Sequence, residues 1–328
     1  MNAKKKDGVT SLHIAAAMGR TEIAKLLLAK GAKVDAVDNK DRTPISLAEE
    51  SGQVEMIELL AAEGMRPANA IAPGTKIGDV CVNPKDGAEM VWVPAGEFLM
   101  GSTDEDIAAL LKEKEHSKFE PGKEQLDAAK PQHKVYLDGY WMYKYEVTVA
   151  QYRKFCEATK REMPLAPEWG WKDDHPMVNA SWQDAADYAK WAGVSLPTEA
   201  QWEKAARGTD GRWFPWGNSW DASKCANSVG KRLESTQSVG SYPAGASPYG
   251  AMDMAGNVWE WCADWGDPNY YKSTPTRNPK GPASGSLRMS RGGSWQDGST
   301  HYEQCAYRQC YPPAGHNTCR GFRCARTP

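Results

Sequence analysis

Hydrophobic positions divide this chain into two stretches that follow different rules. Over residues 1–70 the pattern repeats after 33 residues. Aligning Thr10 with Thr43 also aligns Leu12 with Ile45, Ala15 with Ala48, Gly19 with Gly52, Glu22 with Glu55, Leu26 with Leu59, Leu27 with Leu60 and Gly31 with Gly64. A fixed period of this length predicts stacked repeats. Residues 68–79, A-N-A-I-A-P-G-T-K-I-G-D, carry Pro and Gly without periodicity and mark a boundary, with the linker running over 71–88. Beyond it, M-V-W-V-P-A-G-E-F-L-M-G at 90–101 alternates at period two and predicts a strand opening a second domain, 89–328. Residues 102–130 are charged and predict a solvated surface helix with a flexible tail. Three helix starts follow at Thr148 with Gln151, Ser181 with Asp184, and Thr198 with Gln201, spacings at which the first side chain caps an amide and the fourth points back. Trp182, Ala185 and Ala189 share a helical face with Tyr188 and Trp191 beside it, which makes these aromatics core. After Gly211 the chain is rich in Gly, Pro, Asn and Trp, as in loops pinned by buried rings.

Composition narrows the chemistry. With 328 residues, 41% hydrophobic and 25% charged, the chain suits two domains of a soluble protein. A net charge of −2 exerts no overall pull towards nucleic acid or a membrane surface. The opening M-N-A-K-K-K-D-G has no apolar stretch behind it, so the expected location is cytoplasmic, and the eight cysteines are expected as reduced thiols. All 14 tryptophans fall between Trp92 and Trp295. His116, His133, His175, His301 and His316 have no zinc-binding spacing, and no nucleophile elbow, phosphate loop or dinucleotide fingerprint occurs.

D-G-V-T-S-L-H-I-A-A and D-R-T-P-I-S-L-A resemble the opening of the ankyrin repeat. That resemblance places Gly19 and Gly52 between paired helices and Gly31 and Gly64 at the end of each second helix. About three repeats are normally needed to cover a solenoid's apolar faces, so the pair is either a partner-binding surface or a stabilising appendage. In the second domain L-P-T-E-A-Q-W-E (196–203), F-P-W-G-N (214–218), M-A-G-N-V-W-E-W (254–261), R-G-G-S-W (291–295) and G-F-R-C-A-R (321–326) occur in an order similar to the formylglycine-generating enzyme family. The resemblance implies an α+β chain: ankyrin helical repeats followed by a C-type-lectin-like domain rich in loops. Ala189 and Ala206 stand where secreted relatives have half-cystines.

The same resemblance implies two metals. Family members hold calcium with an Asn and Glu placed like Asn257 and Glu260, together with backbone carbonyls, hard oxygen ligands that suit this ion. The alternative is that Asn257 caps the turn and Glu260 pairs with an arginine such as Arg323. The oxidases of the family bind copper through a C-x4-C pair starting three residues after the G-G-S serine, here Ser294. In this chain that register holds Asp297 and Tyr302. Cys305 and Cys310 keep the spacing but lie on either side of A-Y-R (306–308), so copper enters only with a shifted register. Cys262 and Cys324 read as buried thiols.

Between Trp295 and Gly321 the Asn- and Arg-rich stretch of ordinary family members is replaced by Tyr, His, Cys, Ser, Asp and Gly, with the flanking blocks unaltered. This resembles the variable proteins of diversity-generating retroelements, whose variable region, here 292–324, ends the same fold. The implied function is non-catalytic binding of a protein or other macromolecular ligand, with no nucleic acid and no membrane. Asp297, His301, Tyr302, Gln304, Gln309, Tyr311, His316 and Asn317 would line one shallow exposed surface, while Trp295, Tyr307, Arg308 and Phe322 stay as scaffold. The alternatives are a copper-dependent oxidase forming formylglycine from a protein cysteine, or an inactive relative of it.

Overall fold

The computed structural model describes residues 2–40, 42–62, 72–111 and 123–328, which fall into two units, Met1–Ala72 and Pro73–Pro328. Asp41, Gly64, His116 and the linker residues 68–71 lie outside the described residues.

The first unit pairs α1 (Ser11–Ala17) with α2 (Thr21–Ala29) and α3 (Pro44–Glu50) with α4 (Val54–Ala62). The repeat period is visible in the caps. Thr10 and Thr43 each accept a hydrogen bond from the backbone N–H three residues on, at His13 and Ser46, and those side chains accept from the threonine N–H in return. The other nitrogen of His13, Nε2, lies 2.9 Å from the carbonyl of Arg42 and ties the first repeat to the second. Leu12, Ala15, Ala24, Ile45, Ala48, Met56 and Leu60 make the core between them. Ile23, Leu26 and Val54 remain exposed.

In the second unit, β1 (Val80–Val82), β2 (Glu89–Val93), β5 (Tyr140–Tyr143) and β10 (Ala325–Arg326) form one sheet in that order, every pairing antiparallel. The strands β3 (Gly96–Met100) and β4 (His133–Leu137) form a ribbon. A third sheet has the order β8 (Gln309–Tyr311), β7 (Arg288–Arg291), β6 (Trp259–Trp265), β9 (Arg320–Gly321). Three helices, α7 (Val149–Thr159), α8 (Trp182–Trp191) and α9 (Glu199–Arg207), each begin at the capping box read from the sequence. Period-two alternation holds in β3 but not in β2, whose residues from Met90 to Val93 are all buried because both faces of that strand are covered. The core joins β2, β3, β4 and β5 to α9 and to Met254, Cys262, Met289 and Cys305. Cys262 and Cys324 are buried and free.

The charged stretch after Gly101 corrects the expectation of a solvated face. Its helix α5 (Asp104–Leu110) buries Ile107 and Leu110, together with Leu126 of α6 (Lys123–Asp127), against Trp259 and Tyr307. Its charges hide an i, i+3 apolar edge, which is enough to seat one helical face. The helix therefore covers part of the terminal segment.

Candidate binding face of the terminal segment

The glutamates of L-P-T-E-A-Q-W-E set the position of the segment after Gly292. Spaced i, i+4 on α9, Glu199 and Glu203 point the same way into the core. Glu199 accepts from Arg291 at 2.6 Å and from Arg308 at 2.7 and 2.9 Å. Glu203 accepts from Arg291 and Arg207 and from the Gly101 N–H. Burial raises the carboxyls' proton affinity, but the arginines outweigh it and hold both below the usual range. The network fixes Arg291 just before the G-G-S-W turn and Arg308 of A-Y-R just after the segment's first half. Trp295, Tyr307, Arg308 and Phe322 are buried, as scaffold residues should be.

The eight residues expected on one open surface separate into two groups. His301 and Gln304, each 4% exposed, are buried. The imidazole bridges Ser299 Oγ at 2.9 Å and the Leu110 carbonyl at 3.4 Å. Asp297 accepts from the Ser294 N–H (2.7 Å) and Oγ (2.9 Å), and the Tyr302 ring packs edge-on against Tyr307 and near Trp259. The expectation of exposure fails for His301 and Gln304, over which α5 lies, while Asp297 and Tyr302 are half-buried, the first bound by the Ser294 turn and the second packed on the rings. In the second group Gln309, Tyr311 and Asn317 are partly exposed and His316 is exposed. They are joined by Asn317 Nδ2 donating to the Tyr311 hydroxyl and by the Asn179 N–H donating to the Asn317 carbonyl at 3.0 Å. Beside them Trp295, Gln296 and Thr318 meet Glu168, Trp169, Lys172, Arg232 and Glu234 around a cleft of about 780 Å³. Trp169 stands edge-on to Trp295, with ring centroids 5.3 Å apart. No periodic signal marks Trp169, because it is brought in by a loop.

Neither cysteine arrangement matches a copper pair in register. Cys305 is fully buried, and burial pushes its thiol up to about 12, whereas copper(I) takes the thiolate. The Cys310 thiol faces the sulfur of Met289 at 3.4 Å. The calcium residues need revision. Glu260 gives both oxygens to Arg323, at 2.6 and 2.7 Å, and one also to Trp202 Nε1 at 2.8 Å, so this carboxylate is already neutralised and does not fit a cation. Asn257 sits at φ 61° behind Gly256, where a Cβ would lie 2.2 Å from the Ala226 carbonyl. Its amide reaches the Gln237 carbonyl and a carboxylate oxygen of Glu146, each at 3.3 Å. Asn257 Oδ1 accepts from the Gln237 N–H at 2.9 Å, and the other Glu146 oxygen is buried without a partner, so Glu146 holds the carboxylate oxygen here that a hard cation could take. Sequence reasoning missed Glu146, which sits 111 residues away without a motif of its own.

Sequence reasoning also missed Glu303, which is 0% exposed and whose two carboxylate oxygens have no hydrogen-bond partner. Burial, with Asp297 adding to it, pushes this carboxyl well above its ordinary range. Burial also lifts Asp297 to about 6 against the Ser294 donors.

The folds seen here are those of an ankyrin array and a C-type-lectin-like domain in an α+β chain. Comparison with known proteins agrees: residues 76–328 match the sulfatase-modifying factor enzyme 1-like domain and residues 1–70 match ankyrin repeats. The chain belongs to the sulfatase-modifying factor enzyme 1-like family. It is 30% identical to the formylglycine-generating enzyme of Bos taurus, covering 79% of each chain, and 42% identical to that of Streptomyces coelicolor over 47% of this chain and 53% of that one. Among solved structures, PvdO from Pseudomonas aeruginosa aligns at a TM-score of 0.64 with 26% identity, covering 78% of this chain and all of that one. Treponema denticola variable protein 1 aligns at 0.58 with 22% identity, covering 77% and 100%. Among the described residues no helix is long and apolar enough to cross a membrane.

Proposed function

We propose that this chain is a binding protein whose macromolecular partner docks on the open half of the terminal segment, around Gln309, Tyr311, His316 and Asn317 and the adjoining Trp169–Trp295 cleft. The observation that carries this is the cleft, because two of its walls, Gln296 and Thr318, come from the segment whose composition departs from the family's pattern, beside Trp295 of the block that frames it. Rigid aromatic rings beside adaptable polar side chains suit protein recognition. The likeness in fold to a protein named as variable supports the same reading. Calcium held by Asn257 and Glu146 would serve as a structural ion, and the ankyrin pair offers a second protein-binding surface.

The relatives named formylglycine-generating enzymes support a second reading, a copper-dependent oxidase in which Cys305 and Cys310 serve in a shifted register. The genomic neighbourhood and one assay separate the two. A nearby reverse-transcriptase gene with an adenine-rich near-copy of the region from Gly292 supports the binding reading. Copper-dependent turnover of a C-x-P-x-R peptide, lost in Cys305→Ser or Cys310→Ser, overturns it.

A further inference from the structure

Strand register places a set of aromatic and cationic side chains on one face of the terminal sheet. Trp261 pairs with Ser290, and Ser290 with Gln309; Trp265 pairs with Arg288, and Arg288 with Tyr311; Trp259 pairs with Arg320. Because alternate residues of a strand share a face, and cross-strand partners do too, these positions lie together.

The two arginines of this face differ from their neighbours. Arg291, Arg308 and Arg323 each hold a carboxylate. Among the described residues Arg288 and Arg320 make no ion pair. The Arg288 guanidinium lies 3.6 Å from the Trp182 ring and 3.4 Å from the Trp265 ring, donates to the Ala263 carbonyl, and leaves Nε without a partner. Asp264, the acid that acts on it, accepts instead from the Glu199 N–H. Arg320, 2% exposed, lies 3.6 Å from the Tyr311 ring and 5.1 Å from Trp261. It donates to Gln309 at 2.7 Å and leaves Nε and Nη1 unpartnered. Burial lowers its proton affinity to about 10. Asp297 acts on Arg320 without pairing with it, and a buried cation without an ion pair is costly to folding, a cost that ring faces recover only in part. An arriving anion would recover the rest.

We propose that this face recognises an acidic polypeptide segment, with Arg288 and Arg320 each taking a carboxylate and Tyr311 lying between them. This rests on the reading that the terminal segment docks a partner and names that partner's chemistry. The planar guanidinium offers paired donors that match a carboxylate's two oxygens. Arg288 is partly exposed and meets the ligand first; Arg320 follows when Gln309 yields its bond. The β8 strand is paired on one side only, by β7, so an extended segment has a backbone edge to join. A nucleic acid would call for a run of cations along its phosphates, which two guanidiniums stacked on rings do not supply.

The test uses the full chain and fluorescence anisotropy with a labelled ten-residue Asp/Glu-rich peptide, its Asn/Gln counterpart, and a single-stranded oligonucleotide, with free acetate as competitor. The acidic peptide should bind at least about tenfold tighter than the neutral one, and Arg288→Met or Arg320→Met should each cost about tenfold, as loss of a charge-assisted bond predicts. Neither site has a carboxylate to orphan, and an uncompensated cation is removed, so both variants should melt no lower than the unchanged chain by tryptophan fluorescence. Should a Met variant fail to fold, Arg288→Lys and Arg320→Lys keep the charge, lose the paired donors, and should weaken the peptide by a smaller factor. Acetate competing as well as the peptide at equal carboxylate concentration would assign a free-carboxylate site and overturn the polypeptide reading. Equal binding of the acidic and neutral peptides, unchanged affinity in both variants, or tighter oligonucleotide binding would also overturn it. A photocross-linker at Gln296 that captures a partner while the acidic peptide is ignored would remove this inference and leave the docking function standing. No capture by that cross-linker and no peptide binding would remove both.

Discussion

Replacing Glu303 by Gln should make the second unit more stable at alkaline pH and leave it nearly unchanged in acid. In the native state this side chain is fully buried with neither oxygen bonded, so its charged form is strongly disfavoured. Its folded pKa is therefore raised above the unfolded one, as is that of Asp297, which rises from 3.8 to about 6. A raised carboxyl binds more protons folded than unfolded; its stabilising contribution is complete below the unfolded pKa and is lost as pH rises through the folded one. For Asp297 that rise corresponds to about 3 kcal/mol by pH 7, spread over the interval from about pH 4 to 6. Glu303 adds its own loss from the ordinary glutamate range upward, because its folded pKa is raised well above that range. The Gln variant removes the second titration while keeping the volume. What the Gln variant removes is the cost of ionising the buried carboxyl, about 1.4 kcal/mol for each pH unit past the ordinary range up to the raised folded pKa, which in a unit of this size moves the melting midpoint by roughly 3–6 °C per unit. All 14 tryptophans lie in the second unit, so fluorescence melts from pH 5 to 8.5 report it alone. The wild-type midpoint should fall across this range and the variant's should fall less. Parallel curves, with the same loss in both proteins, would show that Glu303 ionises without penalty and would refute the burial argument.

Removing Arg308 with Met should destabilise the second unit by about 3–5 kcal/mol, since it strips one of two arginines from fully buried Glu199; chemical denaturation measures it. Leu110→Ala should cost about 2–5 kcal/mol by the cavity it opens against Trp259 and Tyr307, and should raise binding of an apolar dye, because α5 covers those rings. Residues 1–72 expressed alone should melt broadly, as two repeats leave an apolar flank exposed; a sharp cooperative transition would count against this. If Asn257 and Glu146 hold calcium, EGTA should lower the second unit's stability by about 2.7 kcal/mol relative to calcium at a hundredfold excess over Kd, and Glu146→Gln should abolish the difference. An unchanged midpoint removes the ion.

What could be read from the sequence was whatever a local rule enforces. Capping needs two side chains three residues apart, so Thr148, Ser181 and Thr198 declared their helices at once. The 33-residue repeat did the same for Thr10 and Thr43, whose caps are made by chemically different partners, His13 and Ser46, at the same spacing. The site was harder because its geometry is made by pairs far apart in the chain. Glu260 could be assigned to calcium or to Arg323 from the motif alone, and the choice is decided by an arginine 63 residues away. His301 and Gln304 belong to a polar, loop-like run, and nothing local says that α5, nearly 200 residues earlier, lies on it.

The same reasoning explains why the terminal segment divides. Its first half is held between Ser294, which binds Asp297, and Arg308, which binds Glu199, and is roofed by Ile107 and Leu110. A substitution there meets packed neighbours and changes folding before it changes recognition. The second half, from Gln309 to Thr318, runs from an edge strand into a loop whose side chains are at least partly exposed, where exchange costs little, usually under about 0.5 kcal/mol. The composition read as departing from the family's pattern spans both halves, yet apart from exposed Gln296 the first is held by packing, and the second is freer to turn such a departure into a change of partner. The proposed binding face is therefore narrower than the stretch of sequence that departs from the family's pattern. Its fixed floor is supplied by Trp261, Trp265, Arg288 and Arg320, residues that stand on the sheet whichever side chains occupy the loop above.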